Sequence, residues 1–276
     1  MKSMKCQNAK IAVIMSIYIN DRLEDFKEAF NSIINQTYSN FVFFIYADGE
    51  INEEIEKYLL SVKSNKVVFL RGTCNKGLAY ALNKLITLVI ELNDFKYIAR
   101  MDADDISELD RFQQQVDFFD KNPDVDVVGG LCQEFGGESA RKKCKVYLDD
   151  YTIKFNLFKK CPFVHPTVMF KASVFNDGVR YPEDRPLTED ICLWFELAYL
   201  NKRFANIDSV LLRYRINENT LERRRGLKKA ITEFTIRLFY VRRLKMISWR
   251  NIILILTHFF VRVLPSPLFK LIHKIN

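Results

Sequence analysis

An α/β fold, with a mainly parallel sheet flanked by helices on both faces, is predicted by three observations. Apolar runs alternate with helical patterns through the first half of the chain. The 276 residues, 49% of them hydrophobic, are enough to bury a sizeable core. Acidic residues stand where the second and fourth strand-like runs end, and open α/β sheets bind ligands beyond the carboxyl ends of their strands.

Residues 11–18 (IAVIMSIY) read as the first strand, and Leu23, Phe26, Phe30, Ile33 and Ile34 follow at the three-and-four spacing of one helical face. Residues 41–48 (FVFFIYAD) give a second strand, 51–62 a helix, 66–72 (KVVFLRG) a third strand and 77–92 (GLAYALNKLITLVIEL) a long helix. The strand YIARM at 97–101, a helix at 111–122 and the strand VDVVGG at 125–130 complete the regular part. After Gly137 the alternation lapses. Residues 135–150 read as a loop, HPTVMF at 165–170 as a short strand, and 187–200 as a helix with an apolar stripe of Leu193, Trp194, Leu197 and Leu200. From residue 221 the pattern is helical until Pro265 and Pro267 break it.

Charge sets that last segment apart. Residues 221–276 hold 13 Lys or Arg against 2 acids, whereas residues 1–220 hold 29 against 32. The companions of those cations are apolar, which suits an anionic membrane surface and offers little to read nucleic acid with. The longest charge-free stretch, residues 251–261, has 11 residues, well short of the roughly 20 that a spanning helix needs. A basic amphipathic tail lying on the membrane is therefore expected, with Trp249, Ile253, Leu256, Phe259 and Phe260 in the interface. The competing use of such a stripe is packing against the catalytic domain or a second subunit. Six scattered cysteines without metal-ligand spacing suit a reducing cytosol, and the amino end lacks the cleavage site of a signal peptide.

The stretch YIARMDADDIS places Asp102, Asp104 and Asp105 where a strand leaves the core. Like charges so close repel and raise each other's pKa unless a cation or hydrogen-bond donors compensate. An Asp-x-Asp pair offers hard oxygen ligands suited to Mn²⁺ or Mg²⁺, with substrate phosphates completing the coordination. Asp48, at the end of the second strand, belongs in the same crevice. The structural uses of the same residues are a turn at Asp48-Gly49 and a helix cap from the Asp cluster. The residues after the first strand contain no glycine, which argues against a dinucleotide cofactor, and no phosphate-binding loop closes on Lys-Ser or Lys-Thr. A metal-bridged diphosphate, bound without a phosphate loop, remains.

These marks resemble the family 2 inverting glycosyltransferases of the GT-A fold, particularly bacterial enzymes that build lipopolysaccharide, capsule or other surface glycans. IMSIYIN, AFNSIINQTYSNF, YADGE, NKGLAYALN, ARMDADDIS with DRF, NPDVDVVGG, HPTVMF, TEDICLW and LLRYR run in family order over residues 11–215. The resemblance implies a GT-A (Rossmann-like) catalytic domain at 1–220, with a nucleotide-sugar half at about 1–130 and an acceptor half at about 131–220, followed by the tail at 221–276. It implies that Ser16 lines the nucleotide pocket, that Asp48 accepts a hydrogen bond from the base (usually uracil), and that Asn75, Gly77 and Asn83 approach the nucleotide and sugar. Asp102 and Asp104 would hold the metal, Asp104 more directly, and Glu189-Asp190 would supply the catalytic base as Asp190. Nearby Arg185 and the helix dipole are expected to keep that base ionised.

The structural use of Glu189 and Asp190 is as first-turn acids, and that of Gly77 and Asn83 is at a helix entrance. His165 is expected to be structural. The chain departs from the family at Ala47, where an acid is usual, at Glu50, where a Ser is usual, and at Asn217, which replaces a His that can approach the metal. The implied donor is a UDP-sugar, the acceptor a glycan or lipid-linked glycan, and the place the inner face of the cytoplasmic membrane. A glycosidase needs neither metal nor nucleotide crevice. A sugar nucleotidyltransferase would need a glycine-rich basic stretch near the amino end, and a catalytically degenerate docking module has the intact DAD and TED against it.

Overall fold

The computed structural model describes residues 9–137, 140–142, 144, 146–216, 222 and 225–275. Its strands are β1 (Ile11–Ile17), β2 (Phe41–Ala47), β3 (Val67–Arg71), β4 (Tyr97–Met101), β5 (Ile106–Ser107), β6 (Val127–Phe135), β7 (Met169–Lys171) and β8 (Phe204–Arg215). They form one sheet in the order β3-β2-β1-β4-β7-β6-β8-β5. The pairs β1/β2, β1/β4, β2/β3 and β6/β8 are parallel; β7 joins β4 to β6 antiparallel, and β5 pairs antiparallel with β8. The mainly parallel sheet read from the sequence is present, with β7 as an antiparallel hinge between its halves.

Side-chain alternation along the strands divides the core into two layers. Ile11, Val13, Met15 and Ile17 of β1 face one way and pack with α1 (Leu23–Ile34), α2 (Glu53–Ser61) and α4 (Arg111–Lys121). Ala12 and Ile14 face the other way, toward α3 (Leu78–Leu92), α5 (Asp150–Phe155) and α6 (Glu189–Tyr199). The two helices α7 (Leu227–Arg243) and α8 (Trp249–Val263) belong to this second layer, because Ile236, Val241 and Ile255 are buried in it. The expected boundary at 220/221 is thus not a division of the core. A third tail helix, α9 (Ser266–Ile275), follows. Pro265 and Pro267 separate α8 from it but do not end helical structure, since proline is tolerated in a helix's first turn.

Other differences from the sequence reading lie in the second half. His165–Thr167 forms a 3₁₀ turn, leaving Met169–Lys171 as the strand. β6 continues five residues past the expected end at Gly130, paired with β8. The expected loop after it is pinned by an isolated bridge in which the Cys144 amide donates to the Cys132 carbonyl at 2.8 Å, and it ends in α5, capped by Asp149. Cys74, Cys132, Cys144, Cys161 and Cys192 are free thiols. Cys6 and Asn217 lie outside the described residues.

Candidate active site

Because β1 lies between β2 and β4, the carboxyl ends of all three strands open on one edge of the sheet. Ser16, half-buried, pairs in register with Tyr46 at the end of β1. Asp48 follows β2 directly and is 2% exposed. Its two carboxylate oxygens accept the amides of Lys76 (2.9 Å) and Gly77 (2.7 Å), so it fastens the loop that opens α3. A carboxylate has about four lone-pair sites, so this duty leaves acceptor capacity for a base. Gly77 enters α3 with φ +92°, and Gly49, with φ +83°, sits so close to the same loop that a Cβ there would lie 2.5 Å from the Asn75 amide nitrogen. Asn75 itself is exposed.

Beyond β4, ligand oxygens of Asp102, Asp104 and Asp105 lie within 4.8 Å of one another. Burial, then the charge of Asp102, pushes Asp104 up to about 6. Burial likewise holds Asp105 well above the carboxylate range, followed by the charges of Asp104 and Asp102. One oxygen of Asp105 accepts the Arg215 amide at 2.7 Å, while the other is buried without a hydrogen-bond partner. Hard oxygens crowded together, with an orphaned one among them, fit a divalent cation.

Three residues that sequence reasoning missed complete this loop. Arg100, buried in β4, donates to Asp102 at 2.7 Å and forms a two-pronged ion pair with it. An arginine inside a strand of apolar residues was the available signal, because a buried guanidinium must find an anion. Arg215, ending β8, donates to the Asp104 carbonyl at 2.8 Å and pairs with Asp25 of α1 at 3.4 Å. Asp21 caps the turn after β1 by accepting the Tyr18 amide at 2.8 Å; burial, and then Asp104, Asp102 and Asp25, raise it to about 7.

The second carboxyl group of residues starts α6. Glu189 is 8% exposed, with one oxygen lacking a partner, and is raised by burial and then by Asp190. Asp190 accepts its neighbour Ile191's amide at 2.7 Å and is raised by burial, against the lowering effects of that amide and of Lys229 from α7. The expectation for Arg185 does not hold. It is exposed and pairs with Asp184 at 3.2 Å, and the cations acting on Asp190 are Lys229 and Arg100. Nothing local in the sequence marks Lys229, which arrives from the tail.

Tyr181 links the two groups. Burial holds its hydroxyl un-ionised, and it senses the charges of Arg100, Asp190, Glu189 and Asp102. That hydroxyl meets His165 Nε2 at 2.8 Å, and the His165 ring stands edge-on to Trp194 of α6. His165 is half-buried and held by Tyr181 and Trp194. Asn83 serves the same loop: its amide donates to the Tyr181 carbonyl and to Glu183 and accepts the Tyr181 amide, each at 2.9 Å. Its bonds go to the 181–183 segment, which borders a hollow of about 550 Å³ together with Tyr80, Lys84 and Arg180.

Comparison with known proteins accords with this geometry. Residues 12–178 match the model of glycosyl transferase family 2. The chain is 31% identical over 271 residues to the UDP-Gal:alpha-D-GlcNAc-diphosphoundecaprenol beta-1,3-galactosyltransferase of Escherichia coli, covering 96% of this chain and 95% of that protein. Among solved structures, Staphylococcus aureus TarS 1-349 with UDP-GlcNAc superposes with a TM-score of 0.64 at 15% identity over 92% of this chain and 72% of that one. In its UDP complex, the share of the TarS chain covered is 65%. The mannosyltransferase PcManGT of Pyrobaculum calidifontis, with GDP-Man and Mn²⁺, gives 0.63 at 14% identity over 91% of this chain and 73% of that one. With a GT-A fold, acidic residues gathered at the ends of adjacent strands and a family match over more than half its length, the chain belongs to glycosyl transferase family 2.

Proposed function

We propose that the protein is an inverting, divalent-metal-dependent glycosyltransferase that moves a sugar from a UDP-linked donor to a hydroxyl of a lipid-linked or growing cell-surface glycan at the inner face of the cytoplasmic membrane. The observation that carries this reading is the placing of Asp48 and the Asp102–Asp104–Asp105 cluster on either side of β1, at the carboxyl edge of the sheet. Asp48 and the Ser16 end of β1 receive the nucleotide, and Asn75 and Gly77 border it. Asp104 and Asp102 hold Mn²⁺ or Mg²⁺, which supplies charge neutralisation for the departing diphosphate when bound. The TarS and PcManGT complexes contain UDP-GlcNAc and GDP-Man with Mn²⁺, respectively, and the E. coli relative's name specifies a diphosphoundecaprenol-linked acceptor.

Asp190 takes the proton of the acceptor hydroxyl. The freed oxygen bonds to the anomeric carbon on the face opposite the diphosphate, the bond to the diphosphate oxygen breaks, and the configuration inverts. Arg100 is a positioning residue that aims Asp102 through their two-pronged ion pair. A thermal-shift screen of UDP-, GDP- and dTDP-sugars with Mn²⁺, followed by turnover with and without the metal, tests the reading, because ligands that bind only the native state raise its apparent stability. Stabilisation by a UDP-sugar and metal-dependent turnover that Asp104→Ala abolishes are expected. Turnover of Asp104→Ala at the wild-type rate in metal-free buffer would refute the assignment.

A further inference from the structure

Helix α8 carries apolar residues on two sides: Ile255 enters the core and the Phe259 ring meets Phe234 of α7 at 5.6 Å, while a second apolar stripe faces outward. Trp249, Ile253, Leu256, Phe260 and Val263 recur at spacings of four, three, four and three, which is one stripe along a helix, and all five are exposed. Trp249 is 86% exposed and Phe260 61%. The opposite side carries polar groups inward: Asn251 is buried, and His258 and Arg262 reach Glu233 of α7. A helix of a water-soluble protein puts its apolar stripe inward, so this outward stripe is built to be covered.

Charge decides what covers it. The tail carries 13 cations against 2 acids, and both acids are already engaged, Glu233 by Lys229, Arg237, His258 and Arg262, and Glu222 by Arg225. Pressing a second copy's tail against this one would bring two strongly basic surfaces together. An anionic bilayer meets both requirements, since its headgroups attract the cations and its acyl boundary takes the apolar stripe. Arg242 and Lys245 are exposed just before α8, as is Ile247. No helix among the described residues is long and apolar enough to cross a membrane.

We infer that the outer face of α8 seats the protein on an anionic phospholipid surface, with the helix lying in the headgroup plane. The inference deepens the reading of a lipid-linked acceptor and rests on it for its purpose. It also gives α7 a part in delivery. That helix is tied to α8 through Glu233, and its Lys229 donates to the Leu187 carbonyl just before α6, so a seated α8 holds the proposed catalytic base in a fixed relation to the bilayer.

The chain has two tryptophans, and Trp194 is fully buried, so a change in emission on adding vesicles reports Trp249. The test mixes the full chain with vesicles of phosphatidylcholine alone, or with about one part in three of phosphatidylglycerol, and reads tryptophan emission and flotation. Blue-shifted emission and flotation on the anionic vesicles only, weakened by raised salt, are expected. The triple variant W249S/I253S/F260S should float at least about tenfold less while keeping the wild-type melting temperature. Arg242→Glu with Lys245→Glu should weaken flotation without touching the stripe. Unchanged emission with anionic vesicles, equal flotation of wild type and both variants, or a wild-type dimer that the triple variant abolishes would overturn the proposal. Sugar-nucleotide turnover in vesicle-free solution is read in parallel, so failure to dock and failure as a transferase remain distinguishable.

Discussion

At the scale of single residues, the proposed chemistry turns on how burial and cations contend over Asp190. Asp190→Asn keeps an oxygen to accept the Ile191 amide, so α6 still starts correctly, but basicity is lost. Transfer should fall at least about 10²-fold with donor affinity unchanged, as read by steady-state kinetics and donor titration. Near-normal transfer would hand the role to Glu189, whose unpartnered oxygen makes it the next residue to test. Lys229 lowers the pKa of both acids, which burial raises. Removing its charge in Lys229→Met therefore raises Asp190 further. A base works only when deprotonated, so activity is lost as pH falls through its pKa, and a higher pKa moves the acid limb of the kcat/KM profile to higher pH. A purely structural role for Lys229 would lower the plateau and leave that limb in place.

At the scale of elements, the site depends on how loops between strands and helices are fastened. The turn after β2 and the loop before α3 are bound by Asp48 and pressed together at Gly49. Gly49→Ala would place a methyl 2.5 Å from a backbone nitrogen at a positive φ, so the loop must shift. A loss of about 1–3 kcal/mol is expected, with weaker donor binding, measured by thermal melting and by titration. An unchanged donor affinity would mean that this loop does not form the nucleotide pocket. Arg215 does the same work on the other side, tying β8 to the carbonyl of Asp104 and to α1, so the acidic loop is held from two elements distant in sequence.

At the scale of the whole molecule, the tail is part of the fold. Ile236, Val241 and Ile255 are each at most 3% exposed, and a buried aliphatic side chain is worth about 1.5–3 kcal/mol. Three of them weigh heavily against a total stability of about 5–15 kcal/mol. A chain ending at Gly226 should therefore be poorly soluble or melt without cooperativity, as followed by circular dichroism and gel filtration. A fragment that melts cooperatively at the full-length temperature would show that residues 1–226 fold alone. Membrane binding has to be tested with surface substitutions in α8, because truncation removes core and docking face together.

The repeating strand and helix pattern of residues 11–130 was legible in the chain, since near-local periodicity dictates which side chains can share a face. So was the standing of Asp48 and the Asp102–Asp105 run at strand ends, because each directly follows an apolar run. The chain's excess of cations in its last segment was equally legible. Only the tertiary structure decided that Arg100 holds Asp102, that Arg215 holds the acidic loop, and that Lys229 in place of Arg185 acts on Asp190. Arg215 and Lys229 come from elements distant in sequence, where no period relates one residue to the other, and Arg100, two residues from Asp102, is driven onto it by burial in the sheet. Only the structure, too, set Ile255 of α8 in the core and left the Trp249–Ile253–Leu256–Phe260–Val263 stripe outward. An amphipathic pattern specifies that a helix has two faces, and the charges already buried on its neighbour, Glu233 above all, decided which face turned inward.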